Sequence, residues 1–276
     1  MEASKEMKKI AVINDISGFG KCSLTAAIPI ISAHKMQCCP LVTGVFSNQT
    51  GYDSFEYADL TEYLQSFIDE WKKLGASFDA IITGFIPNSK QGEIIKGFID
   101  DFRQENTLVV VDPIMADDGD IYKGFDEERI NAVCALANKA DIITPNISEL
   151  CLLCKEDFSD IKGENALKKA KRMAENYAAQ NHCSVVVSGI ETSENEIATA
   201  LYDKNGFSVI KSSKIGQSFS GTGDILCSYL TCELLEEKTL YQAAQSACNF
   251  IEKAIIRTMK RSSVNYTDGV DFEYLL

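Results

Sequence analysis

The stretch Lys9-Ile10-Ala11-Val12-Ile13-Asn14 decides the fold. An unbroken apolar run closed by polar and Gly-containing loop residues is expected of a strand buried on both faces. The pattern returns at Ala80–Thr83, Leu108–Val111 and Val185–Val187, each followed by a polar or Gly-bearing turn, with a shorter relative at Asp141–Thr144. Helical spacing fills the intervals. Leu60, Tyr63, Leu64, Phe67, Ile68, Trp71 and Leu74 recur at i, i+3, i+4 and i+7 before Gly75, and are expected on one packed face. Ile94–Phe102, Ile130–Ala137, Ala166–Tyr177 and Leu240–Ile256 read similarly. Alternation of this kind implies an α/β fold of three layers, a mostly parallel sheet with helices on both faces. Late in the chain, Ile197–Tyr202 and Phe207–Lys211 flank Asp203-Lys204-Asn205-Gly206. Its Asn-Gly pair signals an antiparallel hairpin at the sheet edge.

The 276 residues are 45% apolar and 24% charged, ordinary globular usage with enough material for a two-sided core. No internal repeat, low-complexity tract or Pro/Gly/Ser-rich linker interrupts them, so one domain over residues 1–276 is expected. A net charge of −13 without any basic stripe argues against a nucleic-acid partner. The charged stretch from Met1 to Lys9 lacks a signal-peptide core, and nothing approaches the ~18 apolar residues of a membrane span. Ten cysteines scattered through apolar segments read as reduced, mostly buried thiols, and the cytoplasm is the expected location. Cys151 and Cys154 form a Cys-x-x-Cys pair, which raises zinc or redox chemistry. No second pair matches it, and the spacing fits one face of the helix following Glu149, packed into the core with Leu150.

In open α/β sheets ligands bind at the carboxyl ends of the strands. The loops there carry Asn14-Asp15, Thr83-Gly84-Phe85, Asp112-Pro113, Thr144-Pro145-Asn146 with Glu149, and Ser188-Gly189. The strongest signal is Ser218-Phe219-Ser220-Gly221-Thr222-Gly223-Asp224, running at once into the helical stretch Ile225–Leu235. Small residues let backbone N–H groups approach a phosphoryl group, and the helix dipole adds positive potential. Asp224, in the first turn, is placed to accept a hydroxyl proton. The plainer alternative is a helix cap with a flexible entry loop. Asp112 and Glu149 carry the same ambiguity, since a polar strand end is often only a turn or cap. Gly18-Phe19-Gly20-Lys21-Cys22-Ser23 is not a Walker A loop, because Asp15 and Cys22 occupy positions that need Gly and Ser or Thr. It reads better as a Gly-rich turn opening the first helix.

Gly221-Thr222-Gly223-Asp224 after a hairpin resembles the anion-hole signature of the ribokinase-like superfamily. Asn146-Ile147-Ser148-Glu149 is similar to its Asn-x-x-Glu motif, which is associated with the magnesium-bound water network, and Asp112-Pro113-Ile114-Met115 to its Asp-Pro-Val-Met segment. The last two point to the vitamin kinases, pyridoxal kinase and hydroxymethylpyrimidine kinase. Phe46-Ser47-Asn48-Gln49-Thr50-Gly51-Tyr52 resembles the Phe-Ser-Asn-His-Thr-Gly-Tyr segment that closes over the pyridine ring in pyridoxal kinases, and Thr83-Gly84-Phe85 with Gln91-Gly92-Glu93 also matches that family. The matches run in family order across nearly the whole chain.

The resemblance implies ATP-dependent transfer of the γ-phosphoryl group to a hydroxymethyl oxygen of pyridoxal, pyridoxamine or pyridoxine. Asp224 is then the base and Gly221, Thr222 and Gly223 the anion hole. Asp15, Phe46, Thr50 and Phe85 would bind the vitamin. Asp112, Asp117, Tyr122, Thr144, Asn146, Glu149 and Ser188 would line the ATP site, with Asn146 and Glu149 organising the water shell of Mg²⁺. A monovalent cation such as K⁺ and a homodimer belong to the same expectation. Three positions depart from the pyridoxal kinase pattern: Asp15 replaces Ser, Phe85 replaces the ring-facing Tyr, and Gln49 replaces His. A carboxylate at position 15 is similar to that of hydroxymethylpyrimidine kinases, where it can pair with an aminopyrimidine, and would equally suit the amine of pyridoxamine. Two alternatives therefore stay open, a hydroxymethylpyrimidine kinase of thiamine synthesis and a non-catalytic nucleotide- or vitamin-binding regulator on the same fold.

Overall fold

Residues 6–276 are described in a computed structural model. The chain opens with strand β1 (Lys9–Ser17), helix α1 (Ser23–Ala33), β2 (Gln37–Phe46), a short β3 (Tyr57–Asp59) and α2 (Thr61–Lys73). Then follow β4 (Ala80–Thr83), α3 (Ser89–Phe102), β5 (Leu108–Val111), the small ribbon of β6 (Ala116–Asp117) and β7 (Asp120–Ile121), and α4 (Glu127–Ala137). The remainder is β8 (Ile142–Ile143), α5 (Ile147–Cys154), α6 (Glu164–Asn181), β9 (Ser184–Ser193), β10 (Glu196–Asp203), β11 (Gly206–Ser213), α7 (Thr222–Leu235) and α8 (Leu240–Thr258).

One sheet has the strand order β11-β10-β9-β8-β5-β4-β1-β2-β3. From β9 to β2 every pairing is parallel, and both margins are antiparallel, through β10–β11 on one side and β3 on the other. Alternate residues of the central strands feed two cores. Ala11, Ile13, Ile81, Val109 and Val111 pack under α2 to α6, whereas Ile10, Val12, Ala80, Ile82 and Val110 pack under α1, α7 and α8. Each such aliphatic side chain contributes roughly 1.5–3 kcal/mol by leaving water, which is why these short runs need no polar face. The expected three layers and edge hairpin are both present. Among the described residues no helix is long and apolar enough to cross a membrane.

Two features depart from expectation. In α2 only Thr61, Leu64 and Ile68 are buried, with Trp71 packed against the core, while Tyr63, Phe67 and Leu74 face outward. The helix lies over the sheet margin, where a narrower stripe meets the core. Strand β2 has no clean apolar run because Pro40 sits in it. Pro40 is opposite Val12 of β1, whereas β3 pairs only with Gly44 to Phe46, so on its other side Pro40 has no strand to serve.

Candidate active site

Strand order reverses at β1, whose neighbours are β4 on one side and β2 on the other. Such a switch point opens a crevice at the carboxyl ends of the strands. Asn14, which the sequence reading put in a loop, lies within β1 just past its last pairing with β4 and knits the crevice together. Its Oδ1 accepts the N–H of Phe85 at 2.9 Å and of Asp15 at 3.0 Å, and its Nδ2 donates to Asp224 Oδ1 at 3.1 Å. Gly84 is required there, since a Cβ would lie 2.4 Å from Asn14 Nδ2. Asn14 thus fixes the carboxylate of Asp224 against the loop that carries Phe85. The sequence placed Asn14 in this loop cluster but assigned it no role.

Gly221 is the N-cap of α7 and Asp224 its third helical residue, so the carboxylate is turned to Asn14 rather than serving as the cap. The first N–H groups of such a helix have no intrahelical acceptor, and those of Thr222 and Gly223 are available to an anion. Gly221 has φ +79°, and a Cβ on it would stand 1.9 Å from the carbonyl oxygen of Lys21. Burial pushes Asp224 up to about 6, with the nearby charge of Asp15 adding to the shift.

On the other side of the helix start, Asp112 follows directly on β5, with its Oδ2 3.8 Å from where a Cβ of Gly223 would be. Burial first, and the charge of Asp224 second, raise Asp112 to about 8. Glu149 is raised well above its usual range by burial and by Asp112. Its Oε2 accepts the N–H of Asn146 at 2.8 Å and its Oε1 that of Met115 at 3.2 Å, while Asn146 Oδ1 accepts the N–H of Glu149 at 2.9 Å. This is a capping box at the start of α5, and Asn146 Nδ2 also holds the carbonyl of Ala116 at 2.7 Å. The pair therefore fixes the loop between β5 and α4. Tyr122 is half-exposed in that loop, its phenol raised by burial and by Glu149, Asp117, Asp112 and Asp224. Asp117 is exposed, Ser188 bridges to Asn146 across the sheet, and the hydroxyls of Thr83 and Thr144 are buried without a partner.

Among the described residues no group of His, Cys, Asp and Glu is disposed to hold a metal directly. Carboxylates that repel one another beside an anion hole do fit a hydrated cation carried by phosphates, touching the protein through water. Cys151 lies in the core and Cys154 packs beside it, its Sγ 3.8 Å from the carbonyl of Met173.

The aromatic side of the crevice is built from Phe46 and Phe85, with ring centroids 5.7 Å apart and edge to face, and Tyr57 stacks on Phe46 at 4.4 Å. Arg129 lies behind Phe85, its guanidinium 4.7 Å from that ring and 3.5 Å from Phe125, donating through Nε to the carbonyl of Ile86 at 2.7 Å. Periodicity gave no sign of it, because a charged residue in a first helical turn is ordinarily solvated. Thr50 is exposed on the segment joining β2 to β3. Asp15 is buried, with Oδ1 accepting from Ser23 at 2.6 Å and Oδ2 from Ser17 at 3.1 Å, and burial raises its pKa.

Comparison with known proteins gives this arrangement a lineage. The family model described as phosphomethylpyrimidine kinase matches residues 20–268. A crystal structure from Bacteroides thetaiotaomicron, provisionally described as a phosphomethylpyrimidine kinase and solved in a form with pyridoxal, is 33% identical, covers 98% of this chain and 94% of its own, and superposes with a TM-score of 0.92. A pyridoxine/pyridoxal/pyridoxamine kinase of Bordetella avium is 23% identical over 87% of this chain and 82% of its own length. Pyridoxal kinase from Leishmania donovani, in complex with ADP and pyridoxamine, shares the fold at a TM-score of 0.83 with 19% identity, covering 96% of this chain and 93% of its own. The chain belongs to the phosphomethylpyrimidine kinase family, in the vitamin-kinase branch of the ribokinase-like superfamily.

Proposed function

We propose that the protein transfers the γ-phosphoryl group of ATP to the hydroxymethyl oxygen of a vitamin B6 ring, pyridoxal, pyridoxamine or pyridoxine. The observation that carries this reading is the placement of Asp224 between an anion-binding helix start and an aromatic crevice, with Asn14 fixing it to both. Phe46 and Phe85 offer flat apolar faces to the ring and exclude water. Asp224 takes the hydroxyl proton as oxygen attacks phosphorus, and the N–H groups of Thr222 and Gly223 stabilise charge on the transferred group. Mg²⁺ would supply charge neutralisation at the phosphates. Asn146 and Glu149 would order its water shell by holding the loop from Met115 to Ala116, and Asp112, Asp117, Tyr122, Thr144 and Ser188 would surround the nucleotide. A homodimer and a monovalent cation remain part of the proposal.

A relative of 33% identity solved with pyridoxal supports the B6 ring. Hydroxymethylpyrimidine is the second reading, favoured by the family description. Measuring kcat/KM with pyridoxal, pyridoxamine, pyridoxine and hydroxymethylpyrimidine on one preparation separates the two. A pyrimidine preferred over every B6 vitamer would overturn the first.

Asp15 bears on this choice. Its two oxygens are engaged by Ser17 and Ser23, and Ser23 sits at φ 49°, in the left-handed region that a non-glycine residue needs support to hold. In our reading Asp15 supports the start of α1. Asp15→Ser should therefore lower kcat/KM for all substrates together. A charge-assisted hydrogen bond to a substrate amine contributes about 1.5–3 kcal/mol, roughly ten- to a hundredfold in specificity. A selective loss of that size for pyridoxamine or the aminopyrimidine, relative to pyridoxal, would show that Asp15 reads the ring.

A further inference from the structure

The fold brings together two sequence features that the chemistry above leaves unused. One is Gln49, which departs from the His of pyridoxal kinases, and the other is the Gly-rich turn from Gly18 to Lys21. Gln49 is 7% exposed, and its Nε2 donates to the carbonyl of Thr267 at 3.0 Å and to Ser220 Oγ at 3.3 Å. Its Oε1 accepts the N–H of Gly51 at 2.7 Å. Two glycines leave room for this side chain. A Cβ on Gly20, whose φ is +96°, would stand 2.8 Å from Gln49 Cγ, and one on Gly51 2.9 Å from its Nε2.

The Gly-rich turn is the seat on which these contacts rest. Gly18 N donates to the carbonyl of Phe46 at 2.9 Å, and Gln49 N to that of Phe19 at 2.9 Å, so the segment after β2 lies along the turn. On its other side the Lys21 carbonyl abuts Gly221. The short 3₁₀ turn Tyr266–Asp268 completes the junction: its successive carbonyls accept from Ser220 N at 3.1 Å, Gln49 Nε2 at 3.0 Å and Lys21 N at 3.2 Å, and Tyr52 donates to Asp268. Three loops from distant parts of the sequence thus share one anchor. Gln49 touches both the segment bordering the ring crevice and Ser220, the residue preceding Gly221.

We propose, building on the kinase reading above, that Gln49 is a positioning residue that couples closure over the vitamin ring to the order of the anion hole. Without that link the helix start can hold a phosphoryl group while the crevice admits water. A water oxygen then attacks the γ-phosphorus, the bond to the ADP oxygen breaks, and the water proton passes to Asp224, leaving ADP and inorganic phosphate in place of the vitamin ester.

Gln49→Ala tests this in two ways. Amide hydrogen exchange at Ser220, whose N–H donates to the Tyr266 carbonyl at 3.1 Å, should accelerate by about tenfold without substrate, the equivalent of one buried hydrogen bond, while the central strands stay protected. Vitamin phosphate formed per ADP released should fall below the wild-type ratio, and Gln49→His, which keeps an N–H donor, should restore both. Tyr52→Phe, which loses only the bond to Asp268, is expected to move both readouts in the same direction and serves if Gln49→Ala does not fold. Unchanged exchange at Ser220 in a folded variant overturns the proposal, as does an unchanged ratio where exchange has accelerated. A wild-type protein that forms no vitamin phosphate overturns the kinase reading instead, and the exchange result still decides whether Gln49 orders the anion hole.

Discussion

Asp224→Asn is expected to lose turnover by about 100-fold or more while ATP affinity stays nearly intact. The substitution keeps side-chain volume, and the new carbonyl oxygen can still accept the Asn14 Nδ2 bond, so the crevice should hold its shape. What disappears is the carboxylate oxygen proposed to take the substrate proton. Two linked effects make the result specific. In the wild type, burial holds Asp224 at about 6, so turnover should fall as pH drops through that value and the base becomes protonated. In the variant that limb should vanish. Asp112, raised to about 8 in part by the charge of Asp224, should titrate lower once that charge is gone. Wild-type turnover in the variant would remove Asp224 from the chemistry and leave it a structural carboxylate of α7.

Gly221→Ala is expected to abolish detectable turnover and to destabilise the protein. The left-handed φ costs a non-glycine residue roughly 1–2 kcal/mol by itself. The clash is worse, because a Cβ 1.9 Å from the Lys21 carbonyl meets backbone, which cannot swing aside as a flexible side chain would. The chain must move, and with it the N–H groups of Thr222 and Gly223. Loss of a single anion-hole donor typically costs about 100- to 1,000-fold in kcat, and here the whole loop shifts. Gly223→Ala is the control for stability, since its Cβ would meet only Asp112 Oδ2 at 3.8 Å, an ordinary contact. Thermal melts should separate the two variants. Equal melting temperatures would show that the Gly221 loop yields more easily than its packing implies.

What could be read from the sequence follows a physical line. Strands buried on both faces, such as Ile10 to Ile13 and Val109 to Val111, announce themselves because nothing polar is tolerated in them. The helix start at Gly221 was legible because glycine there answers a local backbone need. Strand β2 was not, because at the margin of the parallel stack its first half is only partly buried and contains Pro40. The contacts of Asn14, Arg129 and Gln49 were beyond reach for a different reason. Each acts through partners 43 to 218 positions away, and a polar side chain in a loop or first helical turn looks the same whether it is solvated or tied to a distant carbonyl. Glu149 shows the converse. Its motif spacing was recognised, and the fold reveals that the spacing is also that of a capping box, so one residue pair can serve helix α5 and the neighbouring loop together.

The central claim is phosphoryl transfer to a ring hydroxymethyl group, and the most direct test follows the phosphoryl itself. The purified protein is incubated with Mg²⁺ and ATP isotopically labelled in the γ-phosphoryl group, together with each B6 vitamer and with hydroxymethylpyrimidine in turn. Products are resolved by mass spectrometry. The proposed function predicts label on the hydroxymethyl oxygen of a B6 vitamer in the wild type, and about 100-fold less or lower still in Asp224→Asn over the same time. Nucleotide binding with no labelled vitamin ester, or label recovered only as inorganic phosphate, would contradict the account.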